Sequence, residues 1–174
     1  MAGETVVIQK GQSLLFDVDR TETLVAVFVF GSLIFPSHTD PNHERFFDAH
    51  YIFVDGAESK LEAGTEDYPY TSKLTITMHS TISDPYLPIY GNKCIGLRFG
   101  TLDMHGVKRS HAWSVLEETA AAGSDRITMA EAVDWGVGDM VGIASTSYDG
   151  REGEKRTIVA VEASAAGKPV FVLD

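Results

Sequence analysis

One cysteine, Cys94, is present in 174 residues, so no intramolecular disulfide can staple the chain. Set between Lys93 and Ile95 in a run of strand-forming residues, it reads as a buried, inert thiol. Basic side chains are also scarce. Fourteen Lys and Arg stand against twenty-five Asp and Glu, for a net charge of −11, and no basic cluster exceeds Lys108-Arg109. Nucleic acid and anionic lipid are both held by Lys and Arg, so this balance argues against both as partners. A solvated acidic surface accounts for the excess. The longest unbroken apolar run, Leu24 to Phe30, is far short of the ~20 residues needed to cross a bilayer. No direct membrane insertion by this segment is expected. There is no Asn-x-Ser/Thr sequon, no glycine-rich phosphate loop, no Ser–His–Asp signature and no zinc-knuckle spacing. No signal peptide is visible, and Met1-Ala2-Gly3-Glu4 leads directly into a strand-like run.

What is present is apolar and β-forming. Apolar residues make up 44% of the chain, enough for a real core in one domain, with or without a small satellite. A phrase of apolar stretch, glycine, then leucine on a second apolar stretch occurs three times. Its copies are Val27–Leu33 around Gly31, Ile52–Gly64 around Gly56, and Ile95–Gly106 around Gly100. Gly31 and Gly56 are 25 residues apart, and Gly56 and Gly100 are 44 apart, which reads as two steps of 22. The skipped step holds the strand-like Lys73–Met78. A period in the low twenties with one strand–turn–strand per repeat points to a β-solenoid. Each glycine is expected at a sharp corner with no room for a Cβ and with access to positive φ. Leu33, Leu61 and Leu102 are expected to stack inside.

Further strands are expected at Val6–Ile8, Ser13–Val18, Val25–Phe30, Ser32–Phe35, His50–Val54, Lys60–Ala63, Lys73–His79, Cys94–Phe99 and Thr101–Met104. Two polar loops, Pro36 to Arg45 and Ser80 to Asn92 (the latter with Leu87-Pro88), read as lateral insertions. Beyond Ser110-His111-Ala112-Trp113 the repeats stop. Leu116–Ala122 reads as a short helix from its glutamates and alanines. Arg126–Met129, Ala132–Asp139, Met140–Ala144, Thr157–Val161 and Pro169–Leu173 read as short strands with close turns, which suggests hairpins or a small barrel. The fold class is therefore all-β: a short right-handed parallel β-helix over residues 1–113, with an antiparallel β appendage over 114–174. Both faces of Leu24–Phe30 are apolar, so its outward face is expected to lie under the appendage or a neighbouring domain.

Several strings together resemble the G8 domain, named for its glycines and found in fibrocystin, its relatives, and related hyaluronan-degrading surface and secreted proteins. They are Gly3–Ile8, Gly11–Asp17, Leu61–Glu66, Lys73–Ile76, Tyr90–Lys93, Gly100–Gly106, Val133–Trp135 through Gly138-Asp139, Ala144–Asp149, and Glu152-x-Glu154 leading into Arg156–Ile158. The resemblance covers nearly the whole chain, and Ser145-Thr146-Ser147-Tyr148-Asp149 sets it nearer the fibrocystin-like branch. It implies a β-helical module, extracellular or displayed on a cell surface, with a receptor-like or adhesive role in a larger protein. Neighbouring domains and a glycan or protein ligand are the implied partners. The alternative it implies is a carbohydrate-active module that binds or depolymerises hyaluronan. The family's usual Trp-rich lead-in is absent, which by the resemblance implies either a start inside the domain's natural boundary or a trimmed lead-in.

The residues themselves offer modest chemistry. His38-x-Asp40-x-x-His43 places three metal-type ligands in one loop, but a flexible loop lacks the rigid support that zinc sites use, so a solvated loop is expected. Asp17 and Asp19 share a strand face, and Glu62 lies near Glu66-Asp67. Neither group forms a recognisable calcium loop, so no cofactor is assigned, with calcium kept as the one alternative. Asp103 and His105 share a face, where a carboxylate beside an imidazole could do acid–base work. A structural hydrogen bond is the plainer role. Arg98 and Arg109 are near them only in sequence. The densest polar constellation runs from Tyr148 to Arg156. Its plain reading is a hairpin tip laced with surface ion pairs. Its functional reading gives Tyr148 a stacking face and Arg151 a bidentate fork for a sugar carboxylate. Trp113 and Trp135 are possible sugar platforms, with burial the better expectation for Trp135. The ligand-binding candidates are therefore Tyr148, Asp149, Arg151, Glu152 and Glu154, with Asp103 and His105, and no catalytic or metal residue is assigned. A non-enzymatic binding module is the leading reading.

Overall fold

The computed structural model describes residues 3–87 and 90–174, so the Met1-Ala2 start and Pro88 of the second long loop lie outside it. The chain is all-β and divides into two compact units, residues 1–108 and 109–174.

In the first unit, alternation of apolar and polar residues sets the register. Strands β1 (Thr5–Ile8), β3 (Ala26–Val29), β6 (Ile52–Asp55) and β9 (Ile95–Arg98) form one parallel sheet in that order. Strands β10 (Thr101–Met104), β7 (Lys60–Ala63), β4 (Ser32–Ile34) and β2 (Ser13–Leu15) form a second, also parallel. β5 (Glu44–Ala49) and β8 (Lys73–Met78) form a third, which the bridges Arg20 to Phe46 and Leu24 to Ala49 extend. The chain visits these sheets in a fixed order, so each pass lays a strand on the one before. Successive passes through the first sheet are 21, 25 and 43 residues long, measured along Val6, Val27, Ile52 and Ile95. The 44-residue interval from Gly56 to Gly100 is thus one long pass rather than two, and its extra length lies mainly in the segment between β8 and β9, since β8 pairs residue for residue with β5.

Register keeps like side chains in columns. Ile8, Val29 and Val54 lie in one column and are 0–2% exposed. Leu14, Leu33, Leu61 and Leu102 lie in another, its two inner members 0–1% exposed and its end members 38% and 45% exposed. Phe16, Phe35 and Phe47 meet edge to face between the sheets, with ring centroids 5.2–5.4 Å apart. Such a geometry adds about 0.5–1.5 kcal/mol per pair beyond area burial. Within Leu24–Phe30, Val27 and Val29 point inward, while Phe28 turns outward beside Tyr51 and Phe53.

The corners correct the expected glycine pattern. The residues preceding Ser32, Lys60 and Thr101, which pair in register, are Gly31, Ser59 and Gly100. Gly56 is therefore not the equivalent glycine. It sits earlier, at φ 113° with open space around it, and accepts the hydroxyl of the buried Ser59 on its carbonyl at 2.7 Å. Gly31 and Gly100 do not adopt positive φ. A Cβ on Gly31 would strike the carbonyl oxygens of Gln9 and Gln12, and one on Gly100 would strike Ser59 Oγ and Val54 Cγ1. Crowding, not left-handed backbone, requires glycine at these two corners.

The first polar loop is shorter than expected. Pro36 to Arg45 is not all loop, because β5 begins at Glu44. Its charged residues hid it: Arg45 and Asp48 are 5% and 6% exposed, so polar side chains occupy positions that read as solvent-facing.

The second unit is an antiparallel sheet of β11 (Arg126–Thr128), β14 (Pro169–Leu173), β13 (Glu154–Ala163) and β12 (Met140–Ile143), in that order. Its core is Ile127, Met129, Val141, Ile158, Phe171 and Leu173. No helix forms at 116–122. Leu116 instead bridges Met129, and Ala120–Ala122 stay exposed, leaving a short alanine-rich stretch without the packing that sustains most helices. Ala132–Gly136 is irregular rather than a strand; the Asp139 carboxylate accepts the Gly136 amide at 2.8 Å, and Trp135 packs on Phe171.

The corner geometry ranks three substitutions. Gly31→Ala meets unyielding backbone and should lower stability by about 1–3 kcal/mol, with Gly100→Ala, which meets a side chain, costing less. Gly136→Ala, in open space without positive φ, should be near neutral. Urea unfolding followed by far-UV circular dichroism checks the order, and equal loss at all three sites would refute the crowding argument.

Candidate functional site

The expected site residues fall into two separate groups, one in each unit. In the first unit, Asp103 and Glu62 are register neighbours facing outward from β10 and β7, because they alternate with the inward Leu102 and Leu61. Lys60 reaches both, its Nζ 2.6 Å from Glu62 and 2.9 Å from Asp103, and His105 Nε2 lies 2.9 Å from the other Asp103 oxygen. The hydrogen bond from Lys60, outweighing burial, holds the Asp103 carboxyl below its ordinary value of 3.8, and bonds to Glu62 and Asp103 raise the Lys60 ammonium. An ionised Asp103 is an acceptor and a weak base, not a proton donor at neutral pH. Asp103 and His105 are legible in the sequence by alternation, but their partner Lys60 is not, because it lies 43 residues upstream of Asp103 and only the strand register brings it near.

In the second unit, Tyr148 is fully exposed, on the loop between β12 and β13. Asp149 caps the short 3₁₀ turn Gly150–Glu152, accepting the Arg151 amide at 3.0 Å and its guanidinium at 2.7 and 2.9 Å. Those bonds lower the Asp149 carboxyl and occupy the fork that Arg151 would offer to a sugar acid. Glu152 accepts the Ser147 hydroxyl at 2.6 Å, and Glu154 pairs with Arg156. The loop is a preformed turn closed on its own charges.

The remaining candidates are engaged elsewhere. Arg98 pairs with Asp55 and Arg109 with Asp139. Within the His38 loop, His38 Nδ1 accepts the Asp40 amide at 3.0 Å, the His38 and His43 rings stack at 3.9 Å, and His43 Nε2 lies 3.0 Å from Asp19. Asp40 turns back to the Asn42 amide. Among the described residues no three His, Cys, Asp or Glu side chains converge as metal ligands. Cys94 is partly buried, and burial raises its thiol, which keeps it protonated and unreactive.

A third cluster escaped the sequence reading. The Asp48 side chain, 8% exposed, accepts Arg20 Nε at 3.0 Å and lies 2.8 Å from His79 Nε2, linking three successive passes of the chain. Burial raises its carboxyl, but the bonds from His79 and Arg20 outweigh that and hold it below 3.8.

Comparison with known proteins gives the family. The G8 domain model matches residues 1–117, and the chain belongs to the G8 domain family. It is 38% identical over 163 residues to fibrocystin-L of Mus musculus, spanning 92% of this chain and 4% of that protein. It is 35% identical over 163 residues to fibrocystin of Canis lupus familiaris, again 92% and 4%. A G8 domain-containing protein of Dictyostelium discoideum is 32% identical over 117 residues, spanning 64% of this chain and 8% of its own length. The chain thus spans about one twenty-fifth of the length of the fibrocystin relatives it matches. No solved structure gives a significant match.

Asp48 yields a pH prediction. A carboxyl lowered by folding adds stability that is complete above its unfolded value and lost as pH falls through the folded one. Asp48→Asn should lose about 1–3 kcal/mol at neutral pH. The gap to the unsubstituted chain should close as pH drops below 3.8. Urea midpoints across this range check it; a gap of constant size would show that ionisation of Asp48 contributes nothing.

Proposed function

We propose that this G8 domain is a non-catalytic ligand-binding or adhesion module of a larger, fibrocystin-like cell-surface protein, displayed outside the cell. In this reading residues 1–113 are a short right-handed parallel β-helix and residues 114–174 an antiparallel companion in the same domain. The fixed visiting order of three parallel sheets supports the helical path, and parallel crossovers favour the right hand. Identity to fibrocystin and fibrocystin-L over most of the chain supports the surface setting. The outward aromatic face of Phe28, Tyr51 and Phe53 suits contact with a neighbouring domain.

Ion pairing carries the non-catalytic reading: Asp103 is bridged by Lys60 and His105, and Glu154 pairs with Arg156. The lowered carboxyl groups of Asp48, Asp55, Asp84, Asp103, Asp134, Asp149 and Asp174 agree with it. The common pattern of glycan hydrolysis uses a carboxylic acid held protonated beside a second carboxylate. The hyaluronan-cleaving alternative finds no such donor among these groups, and Arg151, its candidate fork, is closed by Asp149.

The test presents immobilised protein with arrayed extracellular glycans and matrix proteins. Saturable binding to at least one is expected, with hyaluronan viscosity unchanged on incubation. Tyr148→Ala should weaken binding through the Tyr148 loop about fivefold or more, without loss of thermal stability, because that ring is fully exposed. Falling viscosity would make the protein an enzyme. Folded protein that binds nothing would make it a spacer.

A further inference from the structure

The second unit contains a groove of about 310 Å³, apart from the Tyr148 loop, that is lined by both tryptophans of the chain. Its walls include Arg109, His111, Trp113, Ser114, Trp135 and Met140. The two tryptophans differ sharply. Trp135 is fixed, its indole N–H donating to the His111 carbonyl at 2.7 Å and its ring 6.0 Å from Phe171. Trp113 is 77% exposed. The Ser114 hydroxyl oxygen is shielded from solvent and has no hydrogen-bond partner among the described residues.

The frame around these groups is preformed. Asp134 accepts the Ser110 amide and hydroxyl at 2.8 Å each, and Arg109 donates to the Asp134 carbonyl at 2.9 Å and to Asp139 at 2.7 Å. Asp139 neutralises Arg109, so the wall has donors without net positive charge. A bare indole face, an orphan hydroxyl and a neutralised guanidinium together match a ring with an apolar face and a polar rim. A sugar ring has that form: C–H bonds on its faces and hydroxyls on its edge. Sites of this size hold small ligands.

We propose that this groove binds a neutral saccharide, one pyranose ring lying on Trp113 with its polar edge at Ser114, Arg109 and His111. The proposal rests on the ligand-binding reading and names a ligand class and a site within it. Charge decides against a uronic acid, since Asp139 already occupies Arg109.

The experiment titrates the whole chain with tri-N-acetylchitotriose, cellotriose and mannotriose, reading tryptophan fluorescence and saturation-transfer NMR. At least one probe should give a saturable response in the millimolar range. Trp113→Ala should abolish it with the melting temperature unchanged, Trp113→Phe should retain part of it, and Ser114→Ala should weaken it about fivefold. Silence from all three sugars at about 10 mM, or binding that survives Trp113→Ala, overturns the proposal. A ligand found on the array whose binding is lost in Tyr148→Ala but kept in Trp113→Ala would sink this site while leaving the ligand-binding reading intact.

Discussion

Parallel, in-register pairing is the constraint on which the first unit depends. Side chains alternate between faces with a period of two, so a slip of one residue would turn Val27 and Val29 out to solvent and Phe28 into the core. Each new strand is held to register by the column already laid down, and Leu33 and Leu61 show the result, fully enclosed between neighbours of the same kind. The length of each pass is free to vary as long as the register is kept. Passes of 21, 25 and 43 residues obey the same pairing, with the excess pushed out into polar segments. The three phenylalanines between the sheets then fix the spacing that those columns need.

Charge does on the outer faces what leucine and valine do inside. Asp48 gathers Arg20 from an earlier pass and His79 from a later one. Lys60 joins Glu62 on its own strand to Asp103 on the next. Arg98 joins Asp55 across β9 and β6. Each pair is partly solvated, and an exposed pair alone adds little. Their placement matters more than their strength, since like charges stacked in register would repel and these columns alternate sign or are bridged.

That arrangement explains what could be read in the sequence. Strands with one apolar face, such as Lys60–Ala63 and Lys73–Met78, were legible because alternation survives in them. β5 was not, because Arg45 and Asp48 are buried through partners 9 and 28–31 residues away that no local pattern reveals. The glycine phrase was legible as a repeat but not in its phase: Ser59 stands at the second corner, and Gly56 copies the letter without the position. The alanines after Leu116 carry helix propensity, but nothing packs on them. At the candidate site, Asp103 and His105 were visible from alternation, whereas Lys60 required the register.

The same bonds that organise the surface limit what it can recognise. Asp55, Asp103, Asp134 and Asp149 are all held ionised by cations or amides, so their charge is already answered within the chain. With a net charge of −11, a polyanion approaching the chain meets repulsion over much of its surface, and the arginines that might answer it already have carboxylate partners. In the proposed binding role, recognition would therefore fall to groups that carry no charge. Tyr148 at the loop tip and Trp113 on its groove are the large rings the second unit leaves most exposed, and both favour a ligand that brings an apolar face and hydroxyls rather than charge.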